Sequence, residues 1–456
     1  MRNRWLLVGA SGVAVFMAQL DATAINVALP TIQRDLGIGP GLAQWAVLGY
    51  ALPLIALTVP SGRWLDGAAA RTALVLSISG FGCASILVGL APDIAWLIAA
   101  RAVQGTFGAV LLTLISLLAT IAVRDEARGR AMSLVLILGS LGGMSGPVLG
   151  GLLIEALGWP WIFYLNVPVS VLVIAIGVAQ LPPGGRPRLP DRAWALEAGL
   201  LGAAAVAVML ALSLAAGEGA GWIVLAVVAV PFMLMWRRLP GSRPVIDLLR
   251  AQRVAAPHLA LLAEMTAVMA ALFVIPFYLQ GVAAVLPTQT GLAMLAFPTA
   301  MMLTGLAAGI LADRWDARRV AQIGTVTVTI GLVLIIPMGT GWGPADLAWR
   351  LAVAGAGAGL FAGPNQAMAM TNTPRHLLGT AAATTSLARQ LGVALGPALA
   401  TCVWSFGGYG LQGMRIAVVL AAAMAAASML ALTWYRNPAD RPPAASTKGG
   451  RRCPNP

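Results

Sequence analysis

The chain is 456 residues long, 59% hydrophobic and only 10% charged, with 29 Lys and Arg against 16 Asp and Glu for a formal net charge of +13. That composition excludes a water-soluble globular protein and makes a bilayer the solvent of most of the chain. The positive charge is arginine scattered over many short segments, not one basic face, so it excludes a nucleic-acid groove and fits contact with anionic lipid headgroups.

Fourteen apolar runs are each long enough to cross a hydrocarbon core of about 30 Å as a helix of roughly 20 residues. In chain order they fall at 5–29, 44–64, 72–90, 94–120, 131–153 and 162–181. Two more fall at 194–215 and 221–236, and six follow at 258–279, 287–312, 320–338, 347–370, 378–404 and 414–435. The segments between them are short and leave no soluble domain. Most of the arginines fall on one side of this alternation, the exceptions being Arg34 and Arg415 on the other side and Arg101, Arg350 and Arg389 inside runs. Basic residues accumulate on the cytoplasmic side, so both termini are expected there, in the cytoplasmic membrane of a bacterium. The tail at 437–456 is rich in Pro, Gly and Ala and is expected to be disordered.

The first run carries Asp21, 16 residues beyond Trp5 and therefore about 24 Å into the membrane. An anion there is costly, protonation removes the cost, and such a residue is suited to taking up and releasing a proton. Arg101, eight residues beyond Asp93, lies about 12 Å from the opposite surface, at a depth close to that of Asp21. Its guanidinium does not give up its proton, so its part would be to bias a neighbouring acid or hold a substrate. Gln104 and Asn26 are polar neighbours of these two. Glu264 is the one acid inside the last six runs, about 9 Å from the cytoplasmic end, and is the second candidate for proton coupling. Arg389 is mid-run and reads as interhelical structure or coupling.

Two loops repeat. Gly62, Asp66 and Arg71 recur as Gly309, Asp313 and Arg318 at an offset of 247 residues, with Arg314 beside the second aspartate. Gly142-x-x-x-Gly146-Pro147, which continues to Gly150-Gly151, recurs as Gly392-x-x-x-Gly396-Pro397 at an offset of 250. Two units of six helices with the same polarity follow, at 1–181 and 258–436, with two inserted helices at 182–257 that are poor in polar residues and expected to pack peripherally. Parallel repeats suit a transporter whose halves rock about a central site. The repeated loop acids are candidate gates that hold a helix end or an arginine in one state. The glycines of the 142–151 segment let a helix approach its neighbour closely.

With those motifs in place the chain resembles the major facilitator superfamily, and more narrowly the fourteen-helix drug:proton antiporters of the EmrB/QacA type. Leu20-Asp21-Ala22-Thr23-Ala24-Ile25-Asn26-Val27-Ala28-Leu29-Pro30 resembles that family's first-helix signature. The loops at 62–71 and 309–318 resemble the superfamily's loop motif, although Gly67, Ala69 and Ala70 depart from it. Arg101-Ala102-Val103-Gln104-Gly105 resembles the fourth-helix motif, and Gly142 to Gly151 the fifth-helix motif of exporters. The resemblance implies an all-α integral membrane protein of the major facilitator fold with fourteen transmembrane helices. It implies a monomer that exports a lipophilic, drug-like molecule, cations included, in exchange for protons. The alternatives are a proton symporter or a metabolite exporter. An intramembrane enzyme would need a polar cluster at one depth that only Asp21 and Arg101 approach. Cys83, Cys402 and Cys453 form no disulfide framework, and His258 and His376 share no ligand spacing with them, so no metal is expected. No phosphate-binding glycine loop is present, so the expected energy source is the proton gradient and no cofactor is expected.

Overall fold

The computed structural model describes residues 4–434 except 67, 125–126, 184–190, 251, 372 and 374–376; side chains at 59, 63, 66, 116–117, 119–120, 128–129, 133, 136, 252–253, 313 and 378–379 are also outside the described set. Among the described residues the chain is helical, with no strand. The long helices are α1 (Trp5–Asp35), α2 (Trp45–Asp66), α3 (Ala70–Gly89), α4 (Ile94–Ile121), α5 (Arg128–Leu157), α6 (Pro160–Gln180, irregular at Leu165) and α7 (Arg192–Glu218). They continue as α8 (Ala220–Arg237), α9 (Gln252–Phe277), α10 (Pro287–Trp315), α11 (Ala317–Ile335), α12 (Pro344–Thr371), α13 (Leu378–Phe406) and α14 (Leu411–Thr433).

Local chemistry sets several boundaries. The Asp93 carboxylate accepts from the Trp96 amide at 2.8 Å and so caps α4, and Asp191 caps α7 through the Trp194 amide at 2.7 Å. Pro287 opens α10, where its missing N–H costs nothing. Twelve of the helices are long and apolar enough to cross a membrane, all except α12 and α13. Those two have 28 and 29 residues, ample length at about 1.5 Å per residue. Their apolarity is diluted by Asn365 and Gln366 in α12 and by Thr384, Thr385, Ser386, Arg389 and Gln390 in α13. Exposed tryptophans mark two belts, Trp5, Trp315 and Trp434 at one end and Trp96, Trp161, Trp222 and Trp349 at the other. Trp159, which the sequence reads as an interfacial anchor like Trp161, is instead buried edge-on against Phe163.

Glycines decide how closely the helices pack. A Cβ on Gly105 of α4 would collide with the Tyr50 carbonyl of α2, and one on Gly355 of α12 would collide with the Phe297 carbonyl of α10. Gly142 and Gly146 of α5 lie in the same way on Phe16, Leu20 and Thr23 of α1, and Gly392 and Gly396 of α13 on Leu262, Met265 and Met269 of α9. Close backbone approach of this kind replaces the hydrophobic driving force that lipid removes.

The first six helices meet the last six where α5 packs on α10, α2 on α13, and α1 on α9 and α10. At the end that holds Asp35 a single apolar core runs through all of them, from Leu20, Val27 and Ile32 to Phe273, Phe277 and Trp404. At the end that holds Arg4 the cores are separate. One gathers Leu7, Leu65, Leu118 and Ala131 of the first helices, and another gathers Ala260, Ala321, Phe361 and Leu432 of the last. The bundle is therefore closed at the Asp35 end and parted at the Arg4 end. α7 lies against both α2 and α13, with Trp45 Nε1 donating to Ser213 Oγ at 2.9 Å, so it bridges the two sets of helices where a peripheral position was expected. α8 is mostly exposed.

Candidate functional site

The best-formed polar site is inside the first six helices. Arg101 of α4 donates from one terminal nitrogen to the Asp21 carboxylate of α1 at 2.7 Å, with the two side chains 1% and 0% exposed. The same nitrogen donates to Gln104 Oε1 at 2.7 Å, and Arg101 Nε donates to the Ala46 carbonyl of α2 at 2.9 Å. The second Asp21 oxygen accepts from Asn166 Nδ2 of α6 at 3.0 Å and from Gln104 Nε2 at 3.3 Å. Ser85 Oγ of α3 accepts from both amides, at 3.1 Å from Asn166 and 2.9 Å from Gln104. The guanidinium lies 4.5 Å from the Tyr50 ring centroid and 5.5 Å from that of Phe163.

The sequence builds this site through close packing. Gly49 and Gly105 bring α2 and α4 together, which carries Arg101 to the Ala46 carbonyl. One ionised carboxylate thus ties α1, α2, α3, α4 and α6 into a single network. An isolated charge in such a place would cost several kcal/mol, and the pair with its hydrogen bonds offsets that cost.

The structure thus brings Asp21, Arg101 and Gln104 together. Asn166, Ser85, Tyr50 and the Ala46 carbonyl complete the site and are absent from the sequence reading. A lone Asn within an apolar run was a usable signal for Asn166. Serines are common in such runs, so Ser85 gave none. Asn26 stands apart, its amide donating only to the Ala22 and Thr23 carbonyls of its own helix at 3.4 and 3.5 Å.

Glu264 is in a different setting. It is fully buried, and neither carboxylate oxygen has a hydrogen-bond partner. One turn before it, the Ala260 carbonyl accepts from Ser428 Oγ of α14 at 2.9 Å, so this face of α9 is packed on α14 and is not part of an open vestibule. His258, expected at a helix edge, is buried, with Nδ1 2.7 Å from the Val254 carbonyl and Nε2 2.9 Å from Thr384 Oγ1 of α13. His376 lies outside the described residues. Arg389 of α13 is exposed in mid-helix and bonds to no described group.

The glycine segment of α5 touches two neighbours. Gly142, Gly146 and Gly150 lie on α1, while Gly151 faces the Pro287 carbonyl and Gly291 of α10 faces the Pro147 carbonyl. The segment is therefore part of the seam between the first and last six helices, and Gly291 is its unforeseen counterpart. Of the repeated loops, the side chains of Asp66 and Asp313 lie outside the described set. Gly62 and Gly309 lie near the parted ends of α2 and α10, Arg71 is half-buried and Arg314 exposed. Arg318 donates to the Thr433 carbonyl of α14 at 2.9 Å, which ties the start of α11 to the end of α14.

An all-helical bundle of membrane-length apolar helices around a buried ion pair is the architecture of a multi-pass membrane protein. The chain belongs to the Major Facilitator Superfamily, whose model matches residues 12–397 and 258–454. It is 31% identical to the multidrug resistance protein Stp of Mycobacterium tuberculosis over 87% of this chain and 75% of that protein. It is 32% identical to the puromycin resistance protein pur8 of Streptomyces alboniger over 88% of this chain and 82% of that protein. In fold it is similar to a crystal structure of a bacterial homologue of the human lysosomal transporter Spinster in an inward-facing, occupied conformation. That match has a TM-score of 0.67, covers 95% of this chain and 97% of the other, and has 14% identity. The chain is a transporter and not an enzyme.

Proposed function

We propose that this protein is a proton-coupled exporter of drug-like small molecules, of the fourteen-helix EmrB/QacA type, in a bacterial cytoplasmic membrane. The observation that carries the proton coupling is the Asp21–Arg101 pair at 2.7 Å, buried away from water and bonded to the Ala46 carbonyl, Gln104 and Asn166. In this reading Asp21 is the exchangeable site. Its deprotonated form locks the first six helices around Arg101, and its protonated form releases them to rock against the last six. Arg101, Gln104 and Asn166 hold the carboxylate and set how readily it ionises. The loops with Asp66 and Asp313 act as gates at the parted end, and the α5–α10 glycine seam is the pivot on the closed side. Residues 1–181 and 258–436 are the two moving units, and 182–257 is the insertion. The protein works as a monomer, with no cofactor beyond the proton gradient.

Counting α12 and α13 as spans gives fourteen. Their polar residues are what helices along a water-filled path would carry. An even number leaves both termini on one side, and the arginine bias makes that side cytoplasmic. The parted end then faces the cytoplasm. Relatives that confer multidrug and puromycin resistance support outward drug movement.

The test is accumulation of two fluorescent drug-like compounds, one a carboxylate and one uncharged, in inverted vesicles that contain the protein, energised by an imposed pH gradient. The expected result is uphill accumulation that a protonophore abolishes. Accumulation that persists without a proton gradient, or of neither compound, contradicts the reading. Cysteines at Gly217 and Pro344 should react with an impermeant thiol reagent from outside intact cells, and one at Thr373 should not; the reverse pattern contradicts the orientation.

A further inference from the structure

α13 packs on α2, α7, α9, α12 and α14, and one stripe of it lies off the faces that hold α2, α7 and α9. Ala388, Gly392 and Gly396 lie on α9. Leu391, Ala394, Ala398 and Cys402 lie on α2 and α7. The remaining stripe, at helical spacing, is Ala382, Ser386, Arg389, Val393, Ala400 and Trp404. At its upper end Ala400 and Trp404 are buried in the apolar core that closes the Asp35 end, with Trp404 edge-on to Phe277. Lower down, Ala382 and Arg389 are exposed. A single helix face therefore runs from the closed core into the space between the parted units, and Arg389 stands on it.

The facing wall is α1. It packs on α5 through Gly142, Gly146 and Gly150, and on α4 and α6 through Asp21. Its free stripe holds Gln19, Asn26, Pro30 and Gln33. Gln19 is exposed, and its side-chain amide bonds to no described group. Pro30 and Gln33 line a cavity of about 350 Å³ at the closed end together with Phe277, Gln280 and Trp404. The free stripes of α1 and α13 thus converge on the same axis.

We propose that the transported molecule carries an anionic group, a carboxylate or similar oxyanion, and that Arg389 receives it in the central cavity, with Gln19 as a neutral polar contact on the opposite wall. This rests on the transporter reading and names its substrate class. Among the described residues no acid is paired with Arg389: Asp21 is committed to Arg101, and Glu264 is packed towards α14. The planar guanidinium matches a carboxylate in bidentate fashion. While the cavity is open, water solvates the cation. When the units close around it that water is lost, and a buried unpaired cation is strongly unfavourable. An anionic cargo supplies the missing partner, so the empty protein would resist occlusion and the loaded one would not.

The experiment uses the full chain in nanodiscs and three probes that share a skeleton: 9-anthracenecarboxylate, 9-anthracenemethanol and 9-anthracenemethylamine. Equilibrium dialysis should give the carboxylate at least about tenfold tighter binding than the amine. Arg389→Gln should erase that preference, Arg389→Lys should keep part of it, and the exposed Arg238→Gln should keep all of it. Protection of Arg389 from p-hydroxyphenylglyoxal, read by mass spectrometry on the unmutated protein, should follow the carboxylate alone and decides the matter should Arg389→Gln fail to fold. Equal binding of the three probes, tighter binding of the amine, no binding of any, or a preference that survives Arg389→Gln in the folded protein overturns the proposal. Dialysis needs no gradient, so these outcomes leave the proton-coupling reading standing. Loss of gradient-driven export with the carboxylate preference intact would do the opposite.

Discussion

The first helix of each six-helix set buries an acid, and the two acids could hardly be treated more differently. Asp21 of α1 has a cation at 2.7 Å and two amide donors, and every one of those partners is itself held by a neighbouring helix. Glu264 of α9 has no hydrogen-bond partner on either oxygen among the described residues. The backbone frame around them is alike, since Gly105 and Gly355 let equivalent helices approach and Gly142 and Gly392 do the same one layer away. The architecture is repeated and the chemistry is not. A carboxylate with a full set of partners can exist as an anion in this interior, and one without them fits only as the neutral acid.

The largest effect is expected at Arg101. Arg101→Ala leaves Asp21 buried without its cation, so thermal unfolding should show a loss of about 3–5 kcal/mol, and gradient-driven export should disappear. Unchanged stability would mean that the network around Asp21 is satisfied without it. Next come the glycines. Gly105→Ala and Gly355→Ala each drive a methyl group into a carbonyl of the neighbouring helix and should each cost about 1–3 kcal/mol. Similar costs at the two sites would confirm that the frame is common to both sets of helices, while a loss at Gly105 alone would break the parallel. Asn166→Ala removes one donor to Asp21 and one to Ser85 and should cost about 1–2 kcal/mol. The smallest change belongs to Glu264→Gln. Gln matches the neutral acid in shape, so stability should shift by less than about 1 kcal/mol and export should persist. Abolished export in that variant would remove the distinction between the two acids.

The sequence made Asp21 and Arg101 legible because charged residues inside apolar runs are rare and their depths follow from helical rise. It could not say that the two touch, since depth along a helix leaves rotation about its axis open. Asn166 was missed although it obeys the same rarity argument, and Ser85 was invisible because hydroxyls satisfy themselves on their own helix. Glu264 was readable as a buried acid but not as a partnerless one, because the Ser428 face against it lies far away in the chain. All fourteen long helices were legible as apolar runs, and twelve of them are long and apolar enough to cross a membrane. α12 and α13 are set apart by their polar residues. The loops at 62–71 and 309–318 repeat plainly in sequence, yet the two aspartates that define them lie outside the described side chains.

The most direct test is Asp21→Asn in proteoliposomes, with internal pH and the uptake of a compound that the unmutated protein concentrates read together under an imposed proton gradient. Asn keeps the shape and one acceptor for Arg101 but cannot ionise. The account predicts that the variant still equilibrates that compound down its own concentration gradient, no longer concentrates it, and moves no protons when it is added. Uphill accumulation coupled to proton movement in Asp21→Asn would contradict it.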